Sequence, residues 1–336
     1  MAFIKALVYC LPETRLTNAE LVVRFGEKSV QSITKMAGVK ERRVVAEGET
    51  ASDLACRAAQ RLFAEHSVDP KTIDLLIFTS QTGDYQIPAT ACVLHERLGL
   101  GERCACFDMG QGCSAFPFSL SVANGLLETG VASRALLLNA DAISQVIHPQ
   151  DRGLVPLHGD AGVATLLENT PGGGRLAGFY FGTDGSGWKH LVIPVSGARR
   201  KRDAESSREI TDDNGSVTTA EHLQMNGPAV FHFSMHKVPE AIKAALEQWH
   251  WTVTDCQLVL LHQANRTMVD MIYRLLRVPV EKQFHFMEEV GNASGASSPM
   301  LLAEACQQRR IKSGDKVVLA AFGAGLSWSV VGLEWV

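Results

Sequence analysis

Apolar runs of strand length alternate along this chain with longer stretches whose apolar residues recur at helical spacing, the pattern of an α/β fold. The opening residues, Met1 to Tyr9, read as a first strand. Residues 53–66 read as a helix carrying Leu54, Ala55, Ala58, Leu62 and Phe63 on one side. Residues 75–79 form a buried strand, 89–98 a helix ending at Gly99, 105–108 a strand, 114–128 a helix and 135–139 a strand. Residues 194–222 break the rhythm: they are polar, charged and weakly periodic. A stretch of that length is a lid over a pocket or a surface excursion.

The order then repeats. Residues 258–261 match the strand at 75–78, and 266–276 match the helix at 89–98. Gly291 to Gln307 matches the turn and helix that begin near residue 110, and 316–320 matches the strand at 135–139. Two copies of one α/β unit about a pseudo-two-fold axis are expected, with halves at 1–172 and 173–336 and the turn Gly172-Gly-Gly174 between them. Equivalent strand ends from both halves then converge on one central site.

Composition narrows the classes. The length of 336 residues suits two domains or one large α/β body. A hydrophobic share of 46% with 20% charged residues is that of a soluble globular protein. The net charge of −4 gives no electrostatic reason to expect nucleic-acid binding. The basic run Arg199 to Arg202 is followed by acidic residues, so it reads as a solvated loop or as a small patch for an acidic partner. No apolar run reaches the roughly 18 residues that span a bilayer. The N-terminus lacks the form of a signal peptide, so a cytoplasmic protein is expected. Cys104 and Cys106 lack a second Cys/His pair at zinc spacing, and no metal is expected.

Cys113 is the residue on which the chemistry turns. In Phe107-Asp-Met-Gly-Gln-Gly-Cys-Ser-Ala-Phe116 a strand passes through glycines into a helix. Unpaired helix N–H groups and the helix dipole there should stabilise a thiolate and lower the thiol pKa. A thiolate can take an acyl group from a thioester and hold it as a thioester of nearly equal energy. The tetrahedral oxyanion needs two N–H donors. The backbone N–H of Cys113 and that of Ala324, in the turn Gly323-Ala-Gly325, are the candidates. His262 in Leu261-His-Gln-Ala-Asn265 and Asn292 in Gly291-Asn-Ala-Ser-Gly295 supply an imidazole and an amide for a carbonyl that becomes an enolate. Alone, His262 also reads as a core histidine and Asn292 as a helix cap. Their matching places in a duplicated unit favour a shared site.

These motifs resemble the thiolase superfamily, and most of all its beta-ketoacyl-acyl-carrier-protein synthase III branch. The resemblance runs nearly the whole length. It includes Gly38-Val-Lys-Glu-Arg42, Asp151-Arg-Gly153, Gly159-Asp-Ala-Gly162 and Phe322-Gly-Ala-Gly325 besides the segments quoted above. It implies a thiolase-like α-β-α-β-α layered fold and a homodimer without metal or redox cofactor. It further implies acylation of Cys113 from acyl-CoA or acyl-carrier protein. Decarboxylative condensation with malonyl-acyl-carrier protein, supported by His262 and Asn292, then follows. Arg152, Ile87, Phe231 and Asn265 are the implied substrate or coenzyme A positions, Ile87 meeting the acyl chain across the dimer. Arg266 and Arg274 are the implied carrier-protein contacts.

The chain departs from that pattern where the family carries a tryptophan and an arginine for coenzyme A: Ser32 and Met36 stand there. Losing an aromatic stacking face forfeits about 1–3 kcal/mol per base. A carrier-bound donor and a specialised pathway fit better. Two other readings stay open. One is transfer of the acyl group from Cys113 to an oxygen or nitrogen nucleophile with His262 as base. The other is a non-catalytic subunit of a heteromeric synthase.

Overall fold

A computed structural model describes all 336 residues. Nine strands line up in the order Cys256–Leu261, Lys316–Gly323, Ser327–Trp335, Gly174–Thr183, Phe3–Cys10, Ala161–Glu168, Arg134–Asp141, Leu75–Thr79 and Ala105–Met109. At the seam, Phe3 and Ile4 pair with Arg175 and Gly174 and nothing more. The arrangement is therefore two sheets joined at a corner.

Outward from that seam both sheets repeat one scheme: two antiparallel pairings, then a parallel one. Thr79 lies beside Asn139 in the first half, and Leu261 beside Ala320 in the second. The N-terminal sheet ends in Ala105–Met109, parallel to its neighbour. Its counterpart has shrunk to a single parallel bridge between Val259 and Gln283.

Helices Ala115–Glu128 and Ser297–Gln307 fill the space between the sheets. Phe116, Leu120, Leu301 and Leu302 pack there against Ile77 and Leu137 of one sheet and Leu260 and Leu319 of the other. Helix Ala51–Glu65 covers the outer face of the first sheet, with Ala58 and Leu62 on Leu136 and Ala164. Helices Gly227–Gln248 and Arg266–Leu275 cover the second. Strands covered on both faces must be apolar throughout, which is why Leu75–Phe78 and Leu136–Leu138 run without a polar break. The layers are α-β-α-β-α.

Several elements begin where capping chemistry places them. Thr50 and Asp53 form a reciprocal capping box, so the first outer helix starts at Ala51, two residues before its apolar periodicity. After Asn292 comes a short 3₁₀ turn, Ser294–Ala296, before the central helix starts at Ser297. The polar stretch 194–222 holds a two-stranded ribbon, Ile210–Thr211 with Val217–Thr218. Leu191–Val192 and Gln224–Met225 pair across its base. Helices Asn18–Phe25 and Glu27–Ala37 add a small satellite built on Leu21, Phe25 and Val30.

Candidate active site

Cys113 sits one residue before Ser114, the N-cap of the central helix of the first half. The Ser114 hydroxyl meets that of Ser327 at 2.7 Å, and the Ser114 carbonyl accepts from Ser329 at 2.8 Å, tying this helix start to the last strand. The approach is close enough to dictate glycine at Gly323, where an added Cβ would lie 2.7 Å from the Cys113 Cβ and 3.0 Å from its sulfur. The backbone N–H groups of Cys113 and Ala324, the two expected oxyanion donors, both face the Cys113 sulfur.

The thiol's acidity differs from expectation. Part of Cys113 opens on a cavity, but protein closes around its sulfur, and this burial pushes the thiol up to about 11. The Asp141 carboxylate adds to the rise; the Ser294 hydroxyl and the two backbone N–H groups oppose it without overcoming it. Desolvation outweighs the helix start here.

His262 follows strand Cys256–Leu261 and is buried, its ring edge-on to Phe322 at 5.6 Å between centroids. Burial first, then neighbouring His158, lowers its pKa to about 3, so the imidazole is neutral at physiological pH. Its Nδ1 has no hydrogen-bond partner in the chain. Asn292 is also buried, and its orientation is fixed. Its Oδ1 accepts from the Ser294 N–H at 3.0 Å and from the Ser297 hydroxyl at 3.3 Å. Because an N–H can only donate, the amide cannot be flipped, and Nδ2 donates to the Ala264 carbonyl at 3.3 Å. Ala264 belongs to the His262 turn, and the Ser294 hydroxyl stands 3.7 Å from the Cys113 sulfur. Asn292 and its turn thus link the two halves.

The cavity on which Cys113 opens measures about 260 Å³ and is mostly aliphatic, walled by Ile143, Val146, Leu191, Ile193 and Leu223. The residues flanking the polar excursion therefore wall the pocket. Gln81, His158, Ser294 and Ala324 line it around Cys113, and Ser196 of the excursion itself also reaches it. No cluster of three His, Cys, Asp or Glu side chains is placed to hold a metal ion. No helix is long and apolar enough to cross a membrane.

Comparison with known proteins agrees with this geometry. The family described as 3-oxoacyl-[acyl-carrier-protein (ACP)] synthase III matches residues 107–185, and its C-terminal part matches residues 246–335. A beta-ketoacyl-[acyl-carrier-protein] synthase III of Symbiobacterium thermophilum is 34% identical, covering 99% of this chain and 97% of its own. The chain belongs to the synthase III family. A crystal structure of a 3-oxoacyl-(acyl-carrier-protein) synthase III superposes with a TM-score of 0.96 at 36% identity, over 99% of both chains. The priming beta-ketosynthase of the R1128 polyketide pathway superposes at 0.88 with 25% identity, over 99% of this chain and 96% of that one. The fold is thiolase-like.

Other expected site residues of this synthase III chain lie apart from the cavity. Arg152 lines a separate outer cleft of about 930 Å³ together with Ser32, Lys28 and Asn214. Phe231 is half-buried and packs from helix Gly227–Gln248 against the outer core of the second half. Asn265 caps helix Arg266–Leu275, its Oδ1 accepting from the Met268 N–H at 2.8 Å. Ile87 is 89% exposed and does not line the cavity of its own chain. Arg266 pairs with Asp270 at 2.9 Å, and Arg274 is exposed near the end of the same helix.

Sequence reasoning missed His158, Ser294, Asp141 and Gln81. His158 directly precedes the Gly159-Asp-Ala-Gly162 motif. Its Nδ1 bonds the Leu154 carbonyl at 3.1 Å, so that nitrogen carries the proton and Nε2 is an acceptor. Burial lowers its pKa to about 4.

Proposed function

We propose that this chain is a condensing enzyme that loads an acyl group on Cys113 and joins it to a malonyl-type thioester with loss of carbon dioxide. The observation that carries this reading is the sulfur of Cys113. It faces two backbone N–H groups at one end of an aliphatic cavity, while the Asn292 turn connects it to His262. In acylation the sulfur attacks the donor thioester, and the N–H groups of Cys113 and Ala324 hold the oxyanion. The donor thiol leaves. In the second stage, neutral His262 and the fixed amide of Asn292 bind the carbonyl of the malonyl thioester. Charge builds on that oxygen as carbon dioxide departs, and the enolate carbon attacks the acyl-cysteine to give a beta-ketoacyl thioester. A neutral imidazole suits this task, since it stabilises the growing charge without a buried cation at rest.

The donor of this reading is carrier-bound. Ser32 lines the outer cleft beside Arg152, and the cleft's one aromatic, Phe25, is buried among Leu21 and Val30. No open aromatic face remains there for a purine. A cytoplasmic homodimer completes the proposal, supported by the exposed Tyr85 and Ile87 and by the free edge of Ala105–Met109. The test is an assay with malonyl-carrier protein and either acyl-CoA or acyl-carrier protein as donor. A beta-ketoacyl product with one carbon dioxide per turnover is expected, with the higher kcat/KM for the carrier-bound donor. Absence of carbon dioxide release overturns the condensation.

One observation favours a second reading. His158 brings an acceptor nitrogen into the same cavity as Cys113, the equipment a general base needs to activate a hydroxyl or amine. Acyl transfer to a small alcohol or amine without carbon dioxide release, lost in His158→Phe, is the outcome that would establish it.

A further inference from the structure

The turn after Asn292 holds more machinery than the two stages above require. Ser294 is buried, and although it is not glycine it adopts a left-handed φ of +49°. Such a conformation is retained where the surroundings impose it. The result is that the Ser294 hydroxyl stands 3.7 Å from the Cys113 sulfur. The next backbone N–H, of Gly295, donates to Asp141 Oδ2 at 2.9 Å, which brings Ser294 beside the same carboxylate. Asp141 is fully buried at the end of strand Arg134–Asp141. Its other partners are the Gln81 N–H at 2.8 Å and the Ser80 hydroxyl at 3.2 Å. None is a cation. A carboxylate placed at such expense beside a nucleophile has a proton-acceptor's surroundings rather than those of a structural ion pair.

We propose that Cys113, Ser294 and Asp141 form a proton relay that removes the thiol proton during acylation; this rests on the reading of Cys113 as the acyl-accepting nucleophile. As the sulfur attacks the thioester carbon, its proton passes to the Ser294 oxygen, and the Ser294 proton passes to Asp141. The tetrahedral intermediate collapses by breaking the bond to the donor sulfur. That departing thiolate takes a proton back along the same path, leaving Ser294 neutral and Asp141 ionised. Two further observations fit. Burial keeps the resting thiol protonated, so a base is needed at the moment of attack. Burial also raises the pKa of Asp141, which makes it a stronger acceptor than an exposed carboxylate. The titratable neighbours are His158, which lines the cavity, His262 next to it, and Asp160, a buried carboxyl that acts on Asp141 and is itself raised to about 6; burial keeps both imidazoles neutral throughout the working range. Each oxygen of Asp141 accepts a backbone N–H, Oδ1 from Gln81 at 2.8 Å and Oδ2 from Gly295 at 2.9 Å, the partners of a carboxylate, and this group acts on the Cys113 sulfur. Ser294 and Asp141 act through Cys113 and are positioning and relay residues, not ligands of the acyl group.

The test follows acylation of Cys113 by rapid mixing and intact-protein mass, from pH 6.5 to 9.5. Ser294→Ala, which keeps the N–H that orients Asn292, should acylate about 100-fold more slowly at pH 7. Its rate should then climb nearly tenfold per pH unit as hydroxide does the work of the relay, closing the gap with the parent. Asp141→Asn should show the same slope, and the double variant should be no slower than the slower single one. A deficit that stays constant with pH, or no deficit, overturns the proposal. Should the buried substitutions unfold the protein, the parent chain decides. Its acylation rate against the fraction of D₂O should bow downward, as two protons in flight require. A straight line overturns the relay while leaving condensation intact, whereas no acyl mass at Cys113 overturns the underlying reading itself.

Discussion

The two halves put different chemistry on the same scaffold positions. Two residues beyond the paired Asn139, the first half ends its strand in the buried carboxylate of Asp141; two residues beyond the paired Ala320, the second half has Phe322. One residue beyond Thr79 stands Ser80, which bonds Asp141. One residue beyond Leu261 stands His262, packed edge-on against Phe322. The first half therefore surrounds its helix start with a buried acid and hydroxyls, and carries the thiol. The second surrounds its own with an aromatic ring and a neutral imidazole, and carries the pair proposed to bind the carbonyl. The two halves thus place different side chains at both strand ends, Asp141 and Ser80 in the first and Phe322 and His262 in the second.

The separation can be broken one half at a time. Cys113→Ala should lower condensation by on the order of 10⁶-fold, as loss of a covalent nucleophile does. Carbon dioxide release from the malonyl thioester should survive, and loss of both together would mean that the halves do not divide the work. Asn292→Ala should do the reverse: decarboxylation falls about 10²–10³-fold while single-turnover acylation of Cys113 persists. Gly323→Ala attacks the junction. Its Cβ must displace Cys113, so acylation should fall about 100-fold and thermal stability by about 1–3 kcal/mol, read by kinetics and a thermal melt.

Acid should weaken the fold through the imidazoles. His262 and His158 are held at about 3 and about 4, against about 6.5 in an unfolded chain. Below pH 6.5 the unfolded chain binds protons that the native one refuses. Each histidine then removes about 1.4 kcal/mol of stability per pH unit until its folded value is reached. Asp160, held up to about 6 by burial, works the other way, stabilising the native state at acid pH and losing that contribution as pH rises between about 4 and 6. Denaturant titrations at pH 7 and pH 5 should show a net loss, smaller in His158→Phe. The smallest effect belongs to Asn265→Ala, which should lower stability by about 1 kcal/mol through loss of the helix cap and leave KM within about two-fold.

Much of the site was legible because its parts sit where strands hand over to helices. Cys113 and His262 each follow a strand and precede a helix, whereas Asn292 follows only an isolated bridge at Gln283, and glycines mark the close approaches around them. The repeat was legible for the same reason, since apolar runs such as Leu258–Leu261 and Leu75–Phe78 are buried on both faces. Strands Gly174–Thr183 and Ser327–Trp335 were harder. Gly178 and Gly182 interrupt the apolar run of the first because the rings of Trp249 and Trp328 occupy the space a side chain would need. Helix Gly227–Gln248 was masked by Pro228 and Pro239. The thiol's acidity could not come from local sequence, because it depends on Asp141 and on burial by the opposite half. Asp141 itself reads as the polar end of an apolar strand, and its partner Gly295 lies 154 residues away.

The central claim is that Cys113 carries the acyl group into a decarboxylative condensation. Intact-protein mass spectrometry tests it most directly. The chain is first exposed to acyl-carrier protein and then to malonyl-carrier protein. An acyl mass is expected on the peptide containing Cys113, disappearing on the second addition with one equivalent each of carbon dioxide and beta-ketoacyl-carrier protein. An acyl mass elsewhere, or discharge from Cys113 without carbon dioxide, would contradict it.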